Sequence, residues 1–120
     1  MAEHTHVLPG DAVELGRDSA HDPRLLAHHW GLPILEVEDP EPMPPGSLLR
    51  FRGRWVIAVD ATLPLHQKLL TIAHELGHYY LHRTAGTAWY FSSPHDTEEY
   101  EAGLFARYFL GTADLGRNDP

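Results

Sequence analysis

Leu69-Leu70-Thr71-Ile72-Ala73-His74-Glu75-Leu76-Gly77-His78-Tyr79-Tyr80-Leu81-His82 is the stretch on which the fold turns. Leu69, Ile72, Ala73, Leu76 and Tyr80 recur at intervals of three and four, the apolar stripe of a helix with one buried face. The spacing predicts a helix from about Pro64 to His82, with Pro64 near its first turn. His74 and His78 lie on the flank of the stripe, where a helix borders a cleft. Four residues apart, they project from one side, so two imidazole nitrogens can converge on one metal ion. Glu75 does not join that pair easily and is placed instead to take a proton from a water beside it. Ten histidines raise the odds of coincidence, yet the composition predicts only about 0.06 accidental His-Glu-x-x-His matches. Gly77 inside this helix costs ~1 kcal/mol relative to alanine. It is either a glycine the helix tolerates or a smooth spot needed where another segment approaches the metal.

Working outward, helical spacing also appears from about Ser19 through Leu25, Leu26, His29 and Trp30, and Gly31-Leu32-Pro33 supplies the stop. Ile34-Leu35-Glu36-Val37 reads as a short strand. Four prolines and a glycine make Asp39 to Gly46 a loop. Ser47–Phe51 and Arg54–Val59 flank Arg52-Gly53 as a β-hairpin. Arg50, Arg52 and Arg54 alternate, which puts them on one face if the strand continues through Gly53. Ala85 to Pro94 is a loop carrying Trp89, Tyr90 and Phe91, three aromatics better suited to capping a small core than to lining a groove. A last helix is expected from about His95 to Leu110, closed by Gly111.

A metal site of this kind needs a third protein ligand and one open position. His82, one turn beyond His78, reads better as a helix-end histidine near the negative end of the dipole. Glu98-Glu99-Tyr100-Glu101 opens the last helix and is the stronger source. At ~100° per residue, Glu99 shares a stripe with Ala102, Gly103, Ala106 and Leu110, mostly small residues that let two helices pack closely. Glu101 points roughly 160° away from Glu99, and Glu98 lies about 100° off, with Phe105 and Phe109. Both fit acids that complement the dipole in a helix's first turn. Glu99 is therefore the expected ligand.

Composition narrows the class. The chain has 120 residues and a net charge of −8. It suits a single domain, expected over residues 18–111, with 1–17 a flexible N-terminus and 112–120 a tail. So acidic a protein lacks the broad basic face that nucleic-acid binding needs. The charge is uneven: residues 47–93 carry five bases against two acids, between acidic flanks. With no cysteine there is neither a disulfide framework nor a thiolate zinc site. No apolar run approaches a membrane span, and Met1 to Gly10 lacks the features of a signal peptide, so a soluble cytoplasmic protein is expected.

Taken in order, these motifs resemble the ImmA/IrrE-type metallopeptidase family. Leu69–His82 looks like its signature, and Trp30-Gly31-Leu32-Pro33 resembles the end of its first helix. Gly46 to Asp60 resembles its hairpin, and Glu99 to Ala106 its glutamate-bearing helix. The likeness covers about residues 19–110. It implies a minimal zincin-like α+β fold: an N-terminal helix, a small antiparallel sheet, and the HExxH helix packed on a C-terminal helix that carries a glutamate. It implies Zn²⁺ held by His74, His78 and Glu99, with Glu75 as general base. The activity implied is that of a zinc-dependent endopeptidase cutting a helix-turn-helix repressor in a phage, mobile-element or stress-response setting. Its partner is then a protein substrate, with no direct nucleic acid and no membrane. Tyr79, Tyr90 and His82 are candidates for stabilising the oxyanion. One departure stands out: the family usually has Asn or Asp four residues after the ligand glutamate, and this chain has Gly103, so a side chain that would orient a ligand histidine is missing. The competing expectation is a non-cleaving module stapled by zinc, an anti-repressor or toxin–antitoxin partner, although the intact Glu75 argues against it.

Overall fold

The computed structural model of the chain describes residues 9–81 and 96–111. Its elements run α1 (Pro9–Asp18), α2 (Pro23–His29), β1 (Ile34–Val37), β2 (Gly46–Phe51), β3 (Arg54–Asp60), α3 (Leu65–Leu81) and α4 (Asp96–Leu110). The fold is α+β. α3 lies against the sheet and against α4, and α4 in turn carries α1.

Residues 9–17 of the stretch expected to be a flexible N-terminus are helical, within α1; residues 1–8 lie outside the described residues. The helix packs through Ala12, Leu15 and Gly16, a stripe of only one turn that the sequence reading passed over. Ala12 is buried, and a Cβ on Gly16 would run into the Phe109 carbonyl of α4. Ala20 and His21 then adopt left-handed backbone angles, φ 56° and 57°, which turn the chain. The His21 ring donates from Nδ1 to the Phe109 carbonyl at 2.9 Å, satisfying one of the orphan acceptors at the end of α4.

α2 starts at Pro23, later than the expected Ser19, because Asp22 caps it. The Asp22 carboxylate accepts from the Arg24 amide at 2.9 Å, and proline occupies the first turn. The helix ends as Gly31-Leu32-Pro33 predicts. Gly31 has φ +73°, its amide donates to His28, and the Leu32 amide donates to Ala27, the paired bonds of a Schellman cap.

The sheet has the order β1-β3-β2. β2 and β3 form the expected antiparallel hairpin, but β1 runs parallel to β3, so the sheet is mixed rather than antiparallel. Ile34 and Leu48 both pair with Ile57, placing three apolar side chains in one row toward the core. The turn at Arg52-Gly53 interrupts the strand, so the alternation of Arg50, Arg52 and Arg54 on one face does not hold.

α3 buries Ile72, Ala73 and Leu76 as its stripe requires, but Tyr80 is 40% exposed and Tyr79 is the tyrosine packed against the core. α4 buries Ala102, Phe105, Ala106 and Phe109. The crossing of the two helices explains Gly77. A Cβ there would stand 3.0 Å from Phe105 Cβ and 3.1 Å from the Ala102 backbone. Gly103, also helical, meets no other segment within 4 Å of its missing Cβ among the described residues. The two glycines therefore predict opposite outcomes. Gly103→Ala should stabilise by up to about 1 kcal/mol through helix propensity. Gly77→Ala should destabilise by about 1–3 kcal/mol, because the contact lies on α4 backbone that cannot swing aside. Equilibrium urea denaturation of both variants checks this. Among the described residues no helix is long and apolar enough to cross a membrane.

Candidate metal centre

α3 contributes His74, Glu75 and His78 to one place, and α4 contributes Glu99. The close approach at Gly77 and Ala102 brings them together, since Gly77 sits between the two histidines and Glu99 lies one turn before Ala102. His74 Nε2 is 2.9 Å from Glu99 Oε1, and His78 Nε2 is 3.1 Å from Glu99 Oε2. The first contact is a hydrogen bond; the second is within ion-pair range without hydrogen-bond alignment. The two rings stand 5.0 Å apart at 70°. One ligand atom from each of the three residues lies within 4.8 Å of the others, an arrangement that could hold a metal ion. Two imidazoles and a carboxylate suit a divalent transition metal.

Burial is graded across the cluster. His78 is buried, whereas the side chains of His74 and Glu99 keep 27% and 22% of their exposure, so the site opens to solvent on that side. Partial burial raises the Glu99 carboxyl. The hydrogen bond from His74 and the nearby charge of both histidines outweigh that effect and leave it below the usual carboxylate range.

Glu75 is different. It is 2% exposed, and its Oε1 has no hydrogen-bond partner among the described residues. Burial first, and the Glu99 carboxylate second, push its carboxyl up to about 8. A buried carboxyl oxygen left without a hydrogen bond is costly and uncommon away from functional sites.

Of the three acids at the start of α4, Glu99 is the one whose carboxylate meets both histidines; Glu98 and Glu101 are not part of the cluster. Tyr79 packs against Trp30 and Trp55, at ring separations of 5.6 and 6.1 Å. His82, Trp89, Tyr90 and Phe91 lie outside the described residues. Among the described residues, nothing stands within 4 Å of where a side chain at Gly103 would begin. Sequence reading missed Gly46, assigning it to the proline-rich loop. It starts β2 and abuts α3: a Cβ there would collide with Thr71 Cγ2 and stand 3.5 Å from Glu75 Cγ. A glycine at the first position of a strand was the available signal for such a close approach.

A small sheet, an HExxH helix and a second helix bringing a glutamate to both histidines define a zincin-like arrangement. The chain belongs to the M78 peptidase family, whose model, the IrrE N-terminal-like domain, matches residues 38–112, more than half of its length. That match bears out the ImmA/IrrE resemblance and marks the chain as a member of a metal-dependent peptidase family. Neither the curated proteins nor the solved structures give a match.

Proposed function

We propose that the chain is a zinc-dependent endopeptidase that cuts a helix-turn-helix transcriptional repressor in a phage, mobile-element or stress-response setting. His74, His78 and Glu99 hold the metal, and Glu75 is the general base. The observation that carries this reading is the convergence of two imidazoles and a carboxylate beside the buried Glu75 carboxyl, whose Oε1 has no hydrogen-bond partner among the described residues. A zinc staple alone has no use for Glu75, which favours the enzyme over a non-cleaving binding module.

Zinc, when bound, supplies a Lewis acid that polarises the scissile carbonyl and acidifies a water. Glu75 takes the proton of the attacking water and delivers it to the leaving amine. Burial and the Glu99 charge favour the protonated form of Glu75 in the metal-free chain. A cation's charge nearby acts in the opposite sense and favours the carboxylate that the reaction needs. His78, deeply packed, fixes one side of the cluster, while the exposed edges of His74 and Glu99 leave a side from which a peptide can approach. The setting we propose is the cytoplasm, where such repressors act.

The test is to incubate zinc-loaded protein with the helix-turn-helix repressor encoded beside its gene and follow the mixture by gel and mass. Discrete fragments that disappear on chelation are expected. An intact repressor after prolonged incubation with demonstrably zinc-loaded protein would overturn the reading.

A further inference from the structure

The β2–β3 hairpin ends in Arg50-Phe51-Arg52-Gly53-Arg54, every residue of it exposed. Three guanidinium groups and no carboxylate thus occupy five consecutive positions of a chain whose net charge is −8. Arg50 is engaged locally: it donates to the Gly53 carbonyl at 3.3 Å and lies 5.1 Å over the Trp55 ring. Arg52 lies 5.2 Å over the Phe51 ring. Neither Arg52 nor Arg54 forms an ion pair with a carboxylate among the described residues. Phe51 pairs with Arg54 across the hairpin, so ring and guanidinium share a face, and the ring is 59% exposed.

The backbone sharpens the point. Arg52 and Gly53 have φ of +53° and +79°, the pair of left-handed residues of a type I′ turn. The first of these positions favours Asn or Gly, whereas the Cβ and long side chain of an arginine carry a steric penalty there. Turn stability therefore does not account for Arg52, and a residue held in a costly conformation points to a use for its side chain. The tip is also remote from the metal cluster. Five residue steps of strand at ~3.3 Å each separate Phe51 from Gly46, the end of β2 that abuts Glu75.

We propose that Phe51, Arg52 and Arg54 form a docking surface for an acidic peptide segment of a partner protein. The guanidinium groups pair with its carboxylates, and the Phe51 ring covers an apolar residue beside them. Charge selects this occupant. An acidic segment is disfavoured by the net charge of −8 and steered to a turn that carries three arginines and no acid. Duplex nucleic acid needs a broader basic face than three arginines on a single turn. The proposal stands whether or not the chain cleaves what it binds.

Fluorescence anisotropy of the full-length protein tests it, using as probe a short fluorescein-labelled peptide of glutamates around one leucine. Binding that weakens with salt is expected, with a loss of more than about tenfold in the double variant Arg52→Glu, Arg54→Glu. Arg52→Asn separates docking from structure: it should melt at a higher temperature, because the turn improves, while binding the peptide several-fold more weakly. His74→Ala should bind the probe as wild type does. Unchanged peptide binding in the double variant, or a labelled DNA duplex held more tightly than the peptide, would overturn the proposal.

Discussion

Glu75→Gln is expected to keep its metal and its partner while cleavage falls by ~10²–10⁴-fold, the range that loss of a general base costs. The amide matches the carboxyl in size and polarity but cannot accept the proton of the attacking water. The substitution removes no hydrogen bond from Oε1, which has no partner among the described residues, and it relieves the burial of an ionisable group. The variant should therefore fold at least as well as wild type, so a loss of activity cannot be blamed on unfolding. A gel time course on the repressor, with metal content measured on the same samples, reads both quantities. A variant that relieves repression as well as wild type, with no fragment from either protein, would leave only the zinc-stapled binder.

The second large effect concerns the third ligand. Glu99→Ala should weaken zinc binding by more than the roughly 10–100-fold that removing a supporting residue costs. Glu98→Ala and Glu101→Ala should stay close to wild type. Glu99 presents one oxygen to each histidine, at 2.9 and 3.1 Å, and its neighbours in sequence do not join them. Competition with a colorimetric chelator ranks the three variants. A large loss in Glu101→Ala with Glu99→Ala unaffected would mean that the phase of α4 is misassigned.

Both predictions rest on features that local spacing makes legible. A spacing of four positions from His74 to His78 puts two imidazoles on one side of a helix, and a rotation of ~100° per residue singles out Glu99. The glycine inside α3 left two readings open, a tolerated residue or a close approach, and the Ala102 backbone decides for the second. The features that escaped depend on partners distant in sequence. α1 is held by Ala12, Leu15 and Gly16, a single short stripe whose partner Phe109 lies far along the chain. The four residues of β1 do not specify which strand they join, and the parallel pairing with β3 skips the whole of β2. Ala20 and His21 turn the chain with left-handed angles that neither residue type advertises. Gly46 looked like the end of a proline-rich loop because its neighbours, Thr71 and Glu75, arrive from another element.

Metal content measured by native mass spectrometry tests the central claim most directly. One zinc per chain is predicted for wild-type protein, and none for His74→Ala or His78→Ala, each read from the intact mass of a folded chain. Full retention of zinc in both variants would contradict the site built from His74, His78 and Glu99.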